Sequence, residues 1–301
     1  MHRKMLLSMI ATAVFAASPA LGQELTGTLK KIKDTGAITL GHRESSVPFS
    51  YYDDKQQVVG YAMDLCARIV DGVKNSLKLA TLETKLNPVT SATRIPLIAN
   101  GTVDLECGST TNNLERQKQV SFTITHFVTA NRFVSKKAAN LKTVDDLKGK
   151  TIVSTSGTTN IKQITEIGAQ KGLNLNILAA KDHAEAFLMV ETGRAAAFVM
   201  DDILLYSLVA GSKSPQDYVI SADALSVEPY GIMLHRDDTP FKKVVDEAMI
   251  ATYRSGAINA IYDKWFLKPI PPKGINLNVP MSAAFKKVIA SPTDSGDPAV
   301  Y

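Results

Sequence analysis

Short apolar strand patterns alternate with amphipathic helix patterns along most of the chain, and this alternation constrains its fold more than any other feature. In the first half, the patterns predict strands at residues 37–41, 84–88 and 103–107, with helices at residues 63–74 and 94–100. Turn residues at positions 53–55 predict a hairpin between residues 49–52 and 58–59. Alternating strands and helices are typical of parallel α/β sheets.

The same rhythm starts again near residue 131. The patterns there predict strands at residues 151–154, 175–179, 195–200, 218–220 and 231–235, and helices at residues 144–149, 159–167, 183–191, 241–254 and 258–265. The chain is therefore expected to form two similar α/β lobes. From Ser291 onward it is rich in Ser, Pro, Asp and Gly, and this composition predicts disorder.

The first 22 residues have the pattern of a secretory signal peptide. His2, Arg3 and Lys4 precede a short apolar stretch at residues 5–17, and small residues at Ala20 and Gly22 mark a cleavage site before Gln23. The alternative, a transmembrane anchor, needs about 20 apolar residues, more than this stretch supplies. The mature protein is therefore expected to be exported to the periplasm.

The charge pattern excludes one class of partner. The formal net charge is +5, but the lysines are scattered and do not form a basic stripe. A nucleic-acid partner is therefore not expected. The excess of lysine is interpreted as a generally solvated surface, although a mild positive field also attracts anionic ligands.

Cys66 and Cys107 are the only cysteines. In an exported chain, an oxidising compartment favours a disulfide between them, and two buried free thiols are the alternative. The spacing of the two residues alone does not show whether their Cβ atoms meet.

Several polar residues lie at the edges of apolar runs or in loops rich in Gly, Ser and Thr. They are Arg43, Ser91, Arg94, Ser109, Thr111, Thr159, His183 and Asp201. Arginine's planar fork binds carboxylates, hydroxyls fill the remaining lone pairs, and an aspartate holds an ammonium. No hydrolytic triad, metal-ligand spacing or Gly-rich phosphate loop accompanies them. The set suits an acidic amino acid, with no metal and no cofactor.

Seven segments together resemble the bacterial periplasmic solute-binding proteins, and in particular the glutamate/aspartate-binding members that serve amino-acid ABC importers. The segments are 41–51 (GHRESSVPFSY), 90–96 (TSATRIP), 106–113 (ECGSTTNN), 156–159 (SGTT), 180–183 (AKDH), 200–202 (MDD) and 263–266 (DKWF). They occur in the family's order and cover nearly all of the mature chain.

The resemblance implies a two-lobe periplasmic binding protein fold of type II, with two hinge strands and a ligand cleft between the lobes. The first lobe would comprise residues 23–130 and 222–278, the second residues 131–221, and residues 279–301 would form a C-terminal extension. The implied partners are L-glutamate or L-aspartate and the membrane permease of an importer, with the binding protein a monomer.

The resemblance also assigns roles to residues. Arg94 matches the arginine that clamps the ligand's α-carboxylate, Asp201 the acid that holds its ammonium, and Arg43 the arginine suited to a side-chain carboxylate. His183 matches a donor to that second carboxylate.

For the hydroxyl residues, Ser109, Thr111 and Thr159, helix capping is the alternative to ligand contact. Two charged neighbours are expected to have no part in the site. Arg116 is predicted to form a surface ion pair, and Asp202 to be a solvated residue at a strand end.

Two other functions share this fold. One is an enzyme similar to the periplasmic cyclohexadienyl dehydratases, for which His183 and the pair Asp201 and Asp202 are the available acid–base groups. The other is a sensor component that presents the ligand to a membrane receptor. The motifs favour the transport function.

Overall fold

The computed structural model describes residues 24–301, and the signal peptide predicted for residues 1–22 lies outside this range. Within the described range, no helix is both long and apolar enough to cross a membrane.

The strands and helices follow one another in an order typical of α/β proteins. The strands are β1 (Ala37–His42), β2 (Ser45–Ser46), β3 (Ser50–Tyr52), β4 (Val58–Val59), β5 (Glu83–Pro88), β6 (Leu105–Cys107), β7 (Val120–Phe122), β8 (Phe127–Lys136), β9 (Thr151–Thr155), β10 (Asn176–Ala180), β11 (Ala197–Asp201), β12 (Tyr218–Ile220), β13 (Ser226–Tyr230) and β14 (Met233–His235). The α-helices are α1 (Gly27–Thr35), α2 (Tyr61–Ser76), α3 (Arg94–Ala99), α4 (Thr159–Gln170), α5 (His183–Glu191), α6 (Asp202–Gly211), α7 (Thr239–Arg254), α8 (Ala257–Phe266) and α9 (Ala283–Ala290).

The first lobe is built on a five-stranded sheet in the order β5-β1-β6-β14-β7. The interior strand β1 pairs in parallel with both β5 and β6, whereas β14 pairs antiparallel with β6 and β7. Because the carboxyl ends of parallel strands lie at one edge of a sheet, the loops after β1, β5 and β6 are brought together there.

The second lobe has a six-stranded sheet in the order β10-β9-β11-β8-β12, with β13 also paired to β8. Here β9, β10 and β11 are parallel, and the long strand β8 runs antiparallel to β11, β12 and β13. The chain passes between the lobes through β8 and β13. The boundary predicted at residues 130/131 lies within β8, and that at residues 221/222 lies just before β13.

A disulfide joins helix α2 to the sheet of the first lobe. Cys66 in α2 is bonded to Cys107 at the end of β6, and both residues are fully buried. The disulfide predicted from the export signal is therefore confirmed. It fixes the end of β6 immediately before the loop at Gly108.

The chain from Ser291 onward is ordered, so the prediction of disorder is wrong. The Thr125 amide donates to the Thr293 carbonyl at 2.8 Å, and the Tyr301 hydroxyl lies 2.7 Å from that of Thr125. Composition did not reveal this, because the segment is held by backbone groups and by contacts with residues far away in the sequence. Helix α9, which precedes it, buries Phe285 and Val288 in the core.

Candidate ligand-binding site

Loops from both sheets enclose a polar cavity between the lobes. About 200 Å³ of space, including the part open to solvent, is free of protein atoms there. Its walls contain seven of the eight residues predicted for the site, and also four that were not predicted: Ser91, Arg94, Ser109, Thr111, Thr159, His183 and Asp201, together with Thr158, Asn160, Met200 and Leu204.

The eighth predicted residue, Arg43, lies directly behind this wall. It follows β1, and its backbone N–H donates to Ser50 Oγ at 2.9 Å. Its guanidinium donates through Nη2 to Ser91 Oγ at 2.8 Å. Desolvation, followed by the positive charge of Arg94, lowers the pKa of Arg43 to about 10, so this side chain remains a cation at neutral pH.

A buried carboxylate that the sequence analysis missed supports the two arginines. Arg94 donates from Nη1 to Thr110 Oγ1 at 2.5 Å, and Thr110 in turn donates to Glu106 Oε2 at 2.6 Å. Glu106 is fully buried on β6 and its negative charge acts on both Arg43 and Arg94. Its place next to Cys107, at the carboxyl end of a buried strand, is the signal that could have identified it.

Thr159 lines the cavity and does not cap its helix. Thr158 is the N-cap of α4 and its side chain accepts from the Ile161 amide at 3.3 Å. Thr159 instead donates to Glu228 Oε2 on β13 at 2.9 Å. Helix capping, the alternative considered for Thr159, is therefore the role of Thr158.

His183 begins α5 but does not cap it, since Asp182 accepts from the Glu185 amide at 2.9 Å. His183 Nδ1 lies 2.9 Å from Thr155 Oγ1. Burial, followed by the charges of Arg43 and Arg94, lowers the pKa of His183 well below its usual value. The imidazole is therefore neutral at pH 7.

Asp201 is the acidic group of the cavity. It ends β11, accepts from Asn160 Nδ2 at 2.7 Å through Oδ1, and accepts from the Tyr230 hydroxyl through Oδ2. Burial, followed by the charge of Glu228, raises the pKa of Asp201 to about 7. A neighbouring cation would restore its carboxylate form.

Many polar atoms buried around this cavity have no hydrogen-bond partner among the described residues. They are Arg43 Nε and Nη1, Arg94 Nε, Ser109 Oγ, His183 Nε2 and Glu106 Oε1. Leaving one buried donor unsatisfied costs about 1–3 kcal/mol, and more for a charged group. Five of these six atoms can donate, so together they are complementary to an anion.

Two residues expected to be solvated surface groups are held in place by the fold. Arg116 is buried and donates to the Thr111 carbonyl at 2.8 Å and to the Gly157 carbonyl of the second lobe at 3.2 Å. The prediction of a surface ion pair was therefore wrong, because the loop after β6 turns this side chain inward. Asp202 pairs with Arg132 at 3.1 Å and is only partly exposed.

The two lobes touch at the rim of the cavity. Lys162 on α4 forms an ion pair with Glu115 of the first lobe. Gly157 has a positive φ of 77°, and a Cβ at this position would lie 2.6 Å from the Cα of Ala92. Such a close approach of two backbones needs glycine. The conformation is therefore one in which the cleft is closed.

Among residues 24–301, no group of three or more His, Cys, Asp or Glu side chains gathers in a way that could hold a metal ion. The charged side chains that line the cavity are Arg94 and Asp201, and Arg43 lies behind the wall. Two further buried carboxylates lie outside the lining: Glu106 acts on both arginines, and Glu228 acts on Asp201. The adjacent guanidinium and carboxylate of the wall suit the two charged ends of a small zwitterion.

Two α/β lobes joined by two strands, with a polar cavity closed between them, define the class of type II periplasmic binding proteins. Residues 38–268 match the family model of bacterial extracellular solute-binding proteins, family 3, and the chain belongs to this family. The resemblance seen in its motifs is thereby confirmed.

Curated relatives and a solved structure agree with this assignment. The chain is 55% identical over 291 residues to the L-glutamate/L-aspartate-binding protein of Pseudomonas aeruginosa, covering 95% of this chain and 96% of that protein. It is 46% identical over 278 residues to the glutamate/aspartate import solute-binding protein of Escherichia coli, covering 92% and 91%. The holo ArgBP structure from T. maritima superposes with a TM-score of 0.65 at 26% identity, covering 78% and 98%. The two curated relatives are binding proteins and not enzymes.

Proposed function

We propose that this protein binds L-glutamate or L-aspartate in the cavity between its lobes and delivers it to the membrane permease of an ABC importer. The observation that carries the proposal is that buried donors from both lobes, without partners in the described part of the chain, converge on one cavity that also contains Asp201. The names of the relatives support the same ligand class.

The amino-acid end of the ligand is assigned to Arg94 and Asp201. The ligand's ammonium would pair with Asp201, and its α-carboxylate with Arg94, whose Nε has no partner among the described residues. The negative charge of Asp201 acts on Arg94 and on Arg116. An ammonium and a carboxylate on one carbon need such adjacent partners of opposite charge.

The side-chain carboxylate is assigned to Arg43 and His183. Both Nε and Nη1 of Arg43 are without a partner in residues 24–301, and Nε2 of the neutral imidazole can donate when Nδ1 accepts from Thr155. A neutral amide in this place would leave a buried guanidinium unpaired, which penalises glutamine and asparagine. The site is thus built to select acidic side chains.

Contact with both lobes links binding to closure. The proposed ligand groups come from Arg43 and Arg94 in the first lobe and from Thr159, His183 and Asp201 in the second. A ligand that touches both sets binds the closed form more tightly than the open form and shifts the hinge equilibrium. The closed form of a monomer in the periplasm would then be what the permease recognises.

Calorimetry of the ligand-free mature protein tests the proposal. L-glutamate, L-aspartate, L-glutamine and L-asparagine are titrated at one pH and one salt concentration. The expected result is tight binding of at least one acidic amino acid and binding of the amides that is weaker by roughly tenfold or more. Equal affinity for glutamine and glutamate would refute the selection of acidic side chains.

A further inference from the structure

We infer that residues 293–301, which lie beyond the matched family domain, position the ligand-binding loop of the first lobe. This inference rests on the proposed function, since it concerns the affinity of the same cavity. The matched domain ends at residue 268. The loop is defined as residues 108–113, which contain Ser109 and Thr111 of the cavity wall.

The first contact lies immediately after the cavity wall. Asn112 donates from Nδ2 to the Asp294 carbonyl at 2.8 Å and lies 3.4 Å from the Ser295 carbonyl. Gln117 donates to the same Asp294 carbonyl at 3.0 Å and to Asn112 Oδ1 at 2.9 Å. Asn112 is buried, so its side chain is held in one place by these bonds.

The second contact is a close backbone approach. Gly296 is buried, and a Cβ on it would lie 2.7 Å from the carbonyl carbon of Asn113 and 2.8 Å from the amide nitrogen of Leu114. Because both of these are backbone atoms, a side chain at position 296 could be accommodated only if the loop or the segment moved. A displacement of the segment at position 296 would therefore be transmitted to the ligand-binding loop.

The third contact joins the segment to Thr125, just before β8, where the chain first passes between the lobes. The Thr125 amide donates to the Thr293 carbonyl at 2.8 Å. The Tyr301 hydroxyl donates to the Ser295 carbonyl at 2.8 Å, and it lies 2.7 Å from Thr125 Oγ1, from which it can accept. The segment therefore ties the ligand-binding loop to the first hinge crossing.

The loop also has a fixed relation to the second crossing. The Asn112 amide donates to the Pro229 carbonyl at 2.7 Å, and the Gly231 amide donates to the Thr110 carbonyl at 3.0 Å. Thr111 forms an isolated bridge with Tyr230, which in turn donates to Asp201. A small shift of the loop would therefore move Ser109 and Thr111 away from their alignment with the second lobe.

The test is Gly296→Ala in the full mature chain, with Gly211→Ala as the control. Gly211 also lies outside the left-handed region, and among residues 24–301 a Cβ there would meet only Ile275 Cδ1, at 3.4 Å, an ordinary contact. Changes that act on a site without touching the ligand alter its affinity by roughly 2- to 30-fold. We expect Gly296→Ala to weaken L-glutamate binding within that range, and Gly211→Ala to leave it unchanged.

Hydrogen exchange of the ligand-free protein gives a readout that does not need the ligand. The amides of residues 109–112 should exchange faster in Gly296→Ala than in the wild type, while those of β9 and β11 should not. If Gly296→Ala does not fold, Tyr301→Phe, which removes one hydroxyl, is expected to change affinity and exchange in the same direction.

The outcomes separate the two proposals. Wild-type protein that binds neither glutamate nor aspartate would refute the proposed function, and the exchange rates would still decide whether the segment positions the loop. A folded Gly296→Ala protein with wild-type affinity and wild-type exchange at residues 109–112 would overturn the inference. Equal loss of affinity in Gly211→Ala would also overturn it, since the effect would then not depend on the segment.

Discussion

Replacing Arg43 by methionine should remove most of the protein's discrimination between acidic amino acids and their amides. Arg43 is only 2% exposed, so solvent does not screen its charge appreciably. Methionine keeps a long apolar side chain but loses Nε and Nη1, the two donors of Arg43 that are buried without a partner among the described residues. Truncating one partner of a buried charge pair costs about 2–5 kcal/mol, which is roughly 30- to 5,000-fold in Kd.

The assay is calorimetry of Arg43→Met against L-glutamate and L-glutamine, with ligand-free melting temperatures to show that the variant is folded. The Kd for glutamate should rise by the factor given above, and the Kd for glutamine should change much less. Arg43→Lys is the matched control, since it keeps the charge but loses the planar fork. Its affinity for glutamate should lie between those of the wild type and Arg43→Met.

Arg94→Met tests the proposed orientation of the ligand. If Arg94 holds the α-carboxylate, this variant should weaken the binding of glutamate and glutamine by similar factors, because both share that group. If it weakens glutamate alone, the ligand lies the other way round, with Arg94 at the distal carboxylate. An Arg43→Met variant with undiminished preference for glutamate would refute the role proposed for Arg43.

Three further results are expected. Because burial raises the pKa of Asp201 to about 7 and a ligand ammonium favours its carboxylate form, glutamate affinity should fall as the pH drops from about 8 through 7. Calorimetry of Asp201→Asn over the same pH range should show no such dependence. Reduction of the Cys66–Cys107 disulfide, which closes a 41-residue separation, should cost about 4 kcal/mol in the chain-entropy model and lower the melting temperature; an unchanged melting temperature after complete reduction would contradict it. Gly157→Ala should weaken glutamate binding and enlarge the radius of gyration of the liganded protein in scattering, because its Cβ would strike Ala92 of the other lobe. Gly149 shares the positive φ, but a Cβ added there would have no atom of the described residues within 4 Å, so equal effects of Gly149→Ala and Gly157→Ala would show that backbone strain alone is responsible.

Much of the secondary structure could be predicted from local patterns. Helix α5 lies at the predicted residues 183–191, and α4 and α7 differ from their predictions only at one end. Seven elements were missed: α1, α6, α9, β2, β7, β8 and β13. Among them, α1, β7 and α9 are fixed by packing against distant strands and helices. The expectation of parallel sheets was right for β1, β5 and β6, while β8 and β14 run antiparallel because the chain crosses between the lobes.

The candidate site likewise has features that local patterns predict and features that only the folded chain decides. Arginines, hydroxyls and an aspartate in loops at strand ends could be recognised by residue type and by resemblance, and seven of the eight line one cavity. Glu106 was not recognised because the sequence around a carboxylate in a strand does not indicate which residues it will contact. Arg116 was predicted to be at the surface because its neighbours in sequence are charged. Burial, which decides the behaviour of both, is a property of the folded chain.

The sequence by itself predicted an export signal, and it determined the α/β rhythm, the family and the residue types that can receive an acidic amino acid. These are local or compositional properties, and they are present before the chain folds. Only the tertiary structure decided which donors are buried without partners, that Asp201 has a pKa of about 7, and that the segment after Ser291 is held against the ligand-binding loop. The physical reason is that desolvation and hydrogen bonding depend on atoms brought together from distant parts of the chain, and no local pattern specifies those neighbours.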